Sequence, residues 1–560
     1  MRSAQSGLPL GVVARCKCMT GVLKRKFINA PFFAGALLLL CALTFYYFAV
    51  LRIDYAKTTL LDPGPVDSVE YFAQSKALLR DGRPQLQIGY DKLPSRFPVG
   101  YPVLMLPWLK ILPESDSILA PFRTNQTLGL LLLVVTFGFY SYLAKPLAGG
   151  IAALLLTTLP GFITFSRSSL SEITASMLIV LAFMFAHLGL AEERRWKIYA
   201  SAVLLGLSLN VRIQSLFFVP LLLAMALFPV KGMRLRWFLH CAAVPIVFLV
   251  AASPVLILNT VEFNSPFKTG YNFWVPYWVE NHLLFSLHYI PSTTARLWKE
   301  FALWPNEYSV THIFGTGTSF VPAFIVLVCV GFFFLRFTRF VVCGFLAGLT
   351  FLGATASFRF ADGRLYLPLL ILLVAVAVLP VTWAAKNLLV VKRIVPAAAI
   401  LTLFVATCLG YPSRSGYKTV ETDRLQAWDA LHFTTPLPES PHFIAERNFV
   451  KRSGSQPGVV LSDIDPVYLN TLLPRWIVAA PIDGKHRYQF SKIWRYDRPQ
   501  AAALVRRSLA QPLPVYALFI SQKEMNEKAS RLPKLDAYEW IPAEGSTKGA
   551  VVLKLSPNIH

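Results

Sequence analysis

Two carboxylates at the start of a short helical pattern are the first residues in this chain that could do chemistry. Asp67 and Glu70 open a stretch up to residue 82 in which apolar side chains recur at helical spacing. An ionised carboxylate can accept the proton of a hydroxyl group, so we predict Asp67 as a general base and Glu70 as a second catalytic carboxylate. Alternatively, the pair only caps the helix in a capping-box arrangement. Asp54 competes with Asp67 for the role of base.

Arginines in short polar turns between apolar segments are the second group of interest. Arg359 and Arg364 flank one turn, Arg167 and Glu172 flank another, and Arg212 marks a third. A guanidinium group binds a phosphate through two parallel N–H bonds, so these turns predict a phosphate-binding cluster if they meet in space. The alternatives are that Arg167 and Glu172 only pair with each other, and that the arginines reach towards lipid headgroups.

The metal-ligating residue types show no spacing typical of a metal site. Seven cysteines are present, none lies after Cys408, and the pair Cys16 and Cys18 has no second pair of ligands. His282, His288 and His312 are scattered without ligand spacing. The sequence therefore indicates no cofactor; a divalent metal ion is compatible with it but is not indicated.

The composition shows which elements must position these residues. The chain has 560 residues, of which 55% are hydrophobic and 15% charged, and its mean hydropathy is +0.51. Soluble domains carry about 25% charged residues, so this composition is typical of a membrane protein. Apolar blocks of sufficient length predict about eleven transmembrane helices. They cover 29–51, 125–144, 147–164, 171–190, 198–211, 214–229, 238–258, 318–335, 340–357, 365–385 and 394–411.

The net charge of +24 follows the same topology. Basic residues crowd the N-terminus and alternate short loops, which marks those segments as cytoplasmic. A nucleic-acid surface would need the charges on one folded face, so nucleic acid is not an expected partner. We predict a multi-pass protein of the inner (plasma) membrane, with 1–28 in the cytoplasm and a transmembrane domain over 29–411. Large loops at 52–124 and 259–317 and a domain at 412–560 would then lie outside.

The segment 412–560 has the pattern of a small soluble α/β domain. Strand-like runs at 458–463, 476–480, 514–520 and 549–555 alternate with a helical pattern at 498–510. It contains no glycine-rich phosphate loop, and we expect it to recognise an acceptor. The predicted fold class is thus an all-α polytopic membrane protein with a C-terminal α/β domain.

The order and sidedness of these features resemble the C-type (GT-C) superfamily of membrane glycosyltransferases. The run Ser-Arg-Phe-Pro-Val-Gly-Tyr-Pro at 95–102 resembles a segment of its branch that contains protein O-mannosyltransferases and lipid A aminoarabinose transferases. Segments around Arg167 and Glu172, around Arg212, and Gly-Arg-Leu-Tyr-Leu-Pro at 363–368 are also similar to that branch.

The resemblance implies a glycosyltransferase whose donor is a polyprenyl-phosphate sugar and whose acceptor is a glycan, lipid or protein. Asp67 would be the base of an inverting transfer, and Arg364, with Arg167 or Arg212, would hold the lipid phosphate. Arg96, Tyr101 and Tyr366 join the expected substrate-binding residues. The chain departs from the Asp-Glu dipeptide of the mannosyltransferases, because Ser68 follows Asp67.

Two other classes of protein remain as alternatives. A secondary transporter would show internal repeats and acids within its spans, whereas here the charges gather at turns. A non-catalytic lipid-phosphate-binding assembly factor would share the arginines but would not need Asp67.

Overall fold

The computed structural model describes most of the membrane part of the chain and part of the C-terminal region. The described residues are 32–52, 67–88, 91–227, 234–301, 322–336, 338–359 and 363–410, and then 449, 458–462, 466–473, 477–479, 507, 510, 513–519, 523, 527, 538–542 and 551–557. The predicted cytoplasmic segment 1–28, Asp54 and His312 lie outside these residues.

Helices coincide with the predicted spans, but several are shorter than predicted. Among the described residues, seven helices are long and apolar enough to cross a membrane. They include α1 (Phe32–Leu51), α4 (Ala120–Ala144), α7 (Glu172–Ala191), α10 (Arg234–Phe263), α15 (Arg339–Ala356), α16 (Leu367–Asn387) and α17 (Ile394–Gly410). The remaining predicted spans correspond to α5 (Pro146–Thr157) with α6 (Pro160–Ser166), α8 (Arg195–Leu209), α9 (Pro220–Ala226) and α14 (Pro322–Phe332).

Prolines explain two of the shorter helices. Pro160 separates α5 from α6, and Pro220 separates α9 from a 3₁₀ helix at Ile213–Phe218. Proline has no N–H to donate to the preceding turn, so each predicted continuous span becomes two pieces. The turns that follow α6 and α8 are buried at Arg167, Ser168 and Asn210, so they lie in the protein interior rather than at its surface.

The connecting segments form a layer at one end of the helix bundle. This layer contains α2 (Asp67–Asp81), a hairpin of β1 (Gln85–Ile88) and β2 (Asp91–Pro94), α3 (Gly100–Ile111), α11 (Gly270–Trp274), α12 (Pro276–Glu280) and α13 (Tyr289–Phe301). Sequence predicts α2 as an amphipathic helix, but Ser68 to Ser75 are all buried. Helix α3, α4 and β1 pack against it, so the first half of α2 is enclosed, whereas its last turn is exposed.

The C-terminal region forms a five-stranded mixed sheet. Its strands are β3 (Val459–Ser462), β4 (Ile477–Ala479), β5 (Val515–Phe519), β6 (Tyr538–Pro542) and β7 (Val551–Pro557), in the order β4-β3-β5-β7-β6. Strands β3, β4 and β5 are parallel, and β7 runs antiparallel to β5 and β6. Four of these lie at the predicted strand positions; β6 was not predicted. The predicted helix at 498–510 falls almost entirely outside the described residues.

A short helix of this region contacts the layer that contains α2. Helix α18 (Pro466–Leu472) packs on α2 and on β1, and Asn470 donates an amide hydrogen bond to the carbonyl oxygen of Gln87 at 3.3 Å. Tyr468 of α18 is completely buried. The C-terminal sheet is thus joined to the helix on which Asp67 lies.

Candidate functional site

Asp67 lies between two arginines that come from distant parts of the chain. Arg364 donates from Nη2 to Asp67 Oδ2 at 2.8 Å, and Arg96 donates from Nη2 to Asp67 Oδ1 at 3.3 Å. Arg364 belongs to a 3₁₀ turn at Gly363–Tyr366, immediately before α16. Asp67 is the first residue of α2, and its side chain is 17% exposed. The carboxylate is therefore partly open to solvent while both its oxygens are bound.

Glu70, one turn further along α2, holds the segment that contains Arg96. Its Oε1 accepts from Arg96 Nε at 2.8 Å, and its Oε2 accepts from the Arg96 backbone N–H at 3.1 Å and from Ser95 Oγ at 3.0 Å. Gln74 Nε2 donates to the same Ser95 oxygen at 2.6 Å. The Glu70 side chain is fully buried. The two acids at the start of α2 thus bind arginine rather than forming the alternative capping box.

Glu172 forms a second buried ion pair on the other side of Arg364. Its Oε1 accepts from Arg212 Nη1 at 2.5 Å and lies 3.6 Å from Arg364 Nε. Arg212 Nη1 also donates to Ser171 Oγ at 3.2 Å, and that hydroxyl lies 2.9 Å from the Tyr71 hydroxyl of α2. The other carboxylate oxygen, Glu172 Oε2, is buried and has no hydrogen-bond partner among the described residues.

The arginines set the protonation state of Asp67. Burial raises the pKa of its carboxyl group, but the positive charges of Arg364 and Arg96 outweigh that effect, and the pKa lies below its usual value. Burial raises the pKa of Glu70 above its usual value, partly opposed by Arg96. Asp67 is therefore ionised at neutral pH, as a base must be.

Close backbone contacts hold these segments together. The Gly100 N–H donates to the carbonyl oxygen of Asn210 at 2.6 Å, and a Cβ on Gly100 would lie 2.4 Å from that oxygen. Trp274 Nε1 donates to the carbonyl oxygen of Pro94 at 2.7 Å. The segment with Arg96 is thereby fixed between the turn with Arg212 and the loop after α10.

Gly270→Ala is expected to disturb this arrangement. A Cβ at this position would lie 2.2 Å from the Ser95 carbonyl oxygen and 2.3 Å from Arg96 Cα, and both are backbone atoms that cannot turn aside. We expect the free energy of unfolding to fall by about 1–3 kcal/mol, the range for overpacking. Thermal unfolding in detergent measures this change. Gly138→Ala is the matched control, because nothing lies within 4 Å of its Cβ; equal melting temperatures for the two variants would contradict the predicted clash.

An apolar cavity of about 480 Å³ lies between α4, α7, α14, α15 and α16. Two of these helices begin at the ion pairs: Glu172 is the first residue of α7, and Arg364 lies three residues before α16. The lining residues further along α7 include Val180 and Met184. Glu172 and Arg364 do not line the cavity themselves, but the helices that begin beside them supply part of its wall.

Comparison with solved structures places this arrangement in a known fold. ArnT from Cupriavidus metallidurans, crystallised with undecaprenyl phosphate bound, matches with a TM-score of 0.57 and 14% identity, over 93% of this chain and 97% of its own. AglB, the oligosaccharyltransferase of Archaeoglobus fulgidus in complex with an inhibitory peptide and dolichol-phosphate, matches with a TM-score of 0.52 and 12% identity, over 87% of this chain and 70% of its own. The chain has the GT-C fold.

The GT-C fold confirms the predicted resemblance and the predicted class of polytopic helical membrane protein. ArnT is a lipid A aminoarabinose transferase, one of the families to which the sequence was likened. No protein-family model matches the sequence, and no curated protein does.

The GT-C fold brings together most, but not all, of the residues predicted to bind substrate. Arg96, Arg212, Arg364 and Glu172 meet around Asp67, as described above. Arg359 does not join them: it is exposed, and its guanidinium carbon lies 5.2 Å from the ring centroids of both Trp278 and Tyr289. Among the described residues, no side-chain hydrogen bond or ion pair links Arg359 to the site. Although Arg359 and Arg364 flank the same turn, they have different partners, because Arg359 forms cation–π contacts with two aromatic rings.

The other predicted residues lie below the surface of the site. Tyr101 is fully buried, with its ring 5.1 Å from that of Tyr71 and its hydroxyl donating to the Pro121 carbonyl oxygen at 3.2 Å. Arg167 and Tyr366 are also buried. Substrate contact by these three residues stays a prediction.

Sequence reasoning missed several residues that support the site. They are Tyr71, Gln74, Ser95, Ser171, Gly270 and Trp274, all described above. Ser95 directly precedes Arg96 and Ser171 directly precedes Glu172, so their position beside predicted residues could have identified them. The described part of the chain contains no group of three or more His, Cys, Asp or Glu residues that could hold a metal ion.

Proposed function

We propose that this protein is a membrane glycosyltransferase that transfers a sugar from a polyprenyl-phosphate donor to an acceptor of the cell envelope. The observation that carries the proposal is the ion pair between Asp67 and Arg364, which joins the proposed base to the proposed phosphate-binding residue across 297 residues of sequence. The fold neighbours support the class of donor, since ArnT is bound to undecaprenyl phosphate and AglB to dolichol-phosphate.

In the proposed reaction, the acceptor hydroxyl oxygen forms a bond to the anomeric carbon of the donor sugar. The bond from that carbon to the phosphate oxygen breaks, and its electron pair remains on the departing polyprenyl phosphate. The acceptor proton passes to Asp67. Because the acceptor attacks opposite the phosphate, the configuration at the anomeric carbon is inverted. Arg364 and Arg212 stabilise the charge that develops on the phosphate.

Glu70 has a positioning role in this proposal. Both of its oxygens bind the Ser95–Arg96 segment, which places Arg96 against Asp67. Removing one partner from such a buried ion pair costs about 3–5 kcal/mol, so the two residues depend on each other. Proton transfer is assigned to Asp67, whose side chain is the more exposed of the two acids.

The apolar cavity is the proposed place for part of the polyprenyl chain. It is lined by α7 and α16, the two helices that begin at Glu172 and next to Arg364. A donor whose phosphate binds Arg364 would extend its polyprenyl chain along α16. Because lipid tails are as apolar as the cavity, the chain gains van der Waals packing there rather than a hydrophobic free energy.

The site is proposed to face away from the cytoplasm, at the plasma membrane. The basic loops at 191–197 and 230–237 support this orientation, because such loops mark the cytoplasmic side. The C-terminal domain is proposed to take part in acceptor recognition, since α18 packs directly on α2.

Turnover of the purified protein tests the proposal. The protein is incubated with a panel of polyprenyl-phosphate sugars and an extract of envelope lipids as a source of acceptor. Polyprenyl phosphate is expected to be released from at least one donor, and only when acceptor is present. If the protein binds undecaprenyl phosphate but releases polyprenyl phosphate from none of the donors, the result would contradict the proposed transferase activity. It would favour a non-catalytic lipid-phosphate-binding factor.

A further inference from the structure

Each oxygen of the Asp67 carboxylate accepts a hydrogen bond from an arginine. Its Oδ2 is bound by Arg364 at 2.8 Å and its Oδ1 by Arg96 at 3.3 Å. A general base must lie within hydrogen-bond distance of the hydroxyl that it deprotonates. In this arrangement, both arginines bind the oxygens that would have to receive the acceptor proton, and their positive charge lowers the basicity of the carboxylate.

The ion pair with Asp67 also engages Arg364, the arginine that would hold the donor phosphate. Arg364 Nη2 is bound to Asp67, and Arg364 Nε lies 3.6 Å from Glu172 Oε1. Arg212 Nη1 is likewise bound to Glu172 and Ser171. A phosphate that binds Arg364 through Nη2 or Nε therefore competes with carboxylates of the protein for these N–H groups.

We propose that Asp67 and the donor phosphate exchange places on Arg364, so that donor binding itself releases the base. This inference rests on the proposed function. Before the donor binds, Asp67 is bound to Arg364 and is a weak base. The donor phosphate then takes the Arg364 N–H groups, and Asp67 Oδ2 is freed for the acceptor hydroxyl. Donor binding thus precedes acceptor deprotonation, which protects the site from activating a hydroxyl when no sugar is present.

The charges around Asp67 favour such an exchange. The groups that face it from the packed elements are Arg96, Arg212, Arg364, Glu70, Tyr71 and Tyr271. A phosphodiester brings one negative charge to Arg364, which cancels the charge that lowered the pKa of Asp67. The freed carboxylate is therefore a stronger base than the carboxylate in the ion pair.

Binding of undecaprenyl phosphate to neutral variants of Asp67 tests the exchange. Asp67→Asn and Asp67→Ser remove the competing charge, so both are expected to bind undecaprenyl phosphate about tenfold more tightly than the native protein, a difference of about 1.4 kcal/mol. Asp67→Glu keeps the charge and should bind with native affinity. Asp81→Asn is the matched control, because it removes an ion-paired charge at the far end of the same helix.

The outcomes separate this inference from the proposed function. The exchange alone is overturned if folded Asp67→Asn and Asp67→Ser bind undecaprenyl phosphate no more tightly than the native protein, while the native protein transfers sugar. Equal binding of undecaprenyl phosphate by the native protein and Arg364→Gln, or no binding by either, overturns the exchange and the assignment of the phosphate to Arg364. Failure of the native protein to release polyprenyl phosphate from any donor overturns the proposed function as well. A thermal unfolding transition shows that each variant is folded. Two neutral variants are used so that the test remains possible if one of them does not fold.

The pH dependence of turnover gives a second readout. The ratio kcat/KM reports groups of the free enzyme, whereas kcat reports the enzyme with its substrates bound. Since the exchange raises the pKa of Asp67 only when donor is bound, kcat should begin to fall at a higher pH than kcat/KM as the solution is acidified. Coincident acid limbs would overturn the exchange.

Discussion

Asp67→Asn is expected to lower the rate of sugar transfer by about a thousandfold, within the range of about 10²–10⁴ for loss of a general base. The amide cannot accept the acceptor proton, while its size keeps the contacts of α2. Release of polyprenyl phosphate from a donor identified with the native protein measures the loss. Combined with the tighter binding of undecaprenyl phosphate argued above, the variant would separate donor binding from catalysis.

The control for this variant lies on the same helix. Asp81 is the last residue of α2, about 21 Å from Asp67 at 1.5 Å per residue, and it pairs with Arg80 and Lys92. Asp81→Asn should transfer sugar at the native rate. If Asp67→Asn retained native turnover, the base would have to be another acid, with Asp54 the first to test.

Arg364→Gln should lower kcat/KM by about 10²–10³-fold, the loss typical of one charge-stabilising group in an active site. The change removes a phosphate ligand and leaves Asp67 with Arg96 as its remaining arginine partner among the described residues. Both KM for the donor and kcat are expected to change, because the leaving phosphate carries more charge in the transition state than in the bound donor. Arg364→Lys should be intermediate, since an ammonium group cannot form the bidentate contact.

Arg359→Gln is the comparison for this experiment. Arg359 lies only five residues away in sequence, but it stacks between Trp278 and Tyr289, apart from the ion pairs. The comparison therefore distinguishes loss of a positive charge near the site from loss of a ligand within it. Equal effects of the two substitutions would contradict the assignment of the phosphate to Arg364.

The residues of the site could be predicted from sequence because charged side chains between apolar segments are costly without a role. Glu172, Arg212 and Arg364 were identified in this way, and Asp67 as a carboxylate at the start of a helical pattern. The structure brings the four residues together. Their partners could not be assigned. Pairing of Glu172 with Arg212, and not across its own turn with Arg167, depends on how α7 and α8 pack, which residue types alone do not specify.

The environment of α2 shows a similar limit. Its apolar spacing predicted a helix with one solvated face, yet Gln74 and Ser75 are buried. Gln74 Nε2 donates to Ser95 Oγ and Ser75 Oγ donates to the carbonyl oxygen of Pro102, residues that lie more than twenty positions away. Periodicity identifies a helix and its apolar side, but a polar side that is buried by distant segments has the same pattern as one that faces water.

The contact between α18 and α2 limits how this architecture can be recombined. Tyr468 and Leu469 of α18 are completely or almost completely buried, and α18 packs on both α2 and β1. A chimera that replaced only the C-terminal domain with that of another GT-C protein would place a foreign surface against the helix on which Asp67 lies. The domain, α2 and the hairpin therefore form one exchangeable module, although nearly 400 residues of sequence separate their parts.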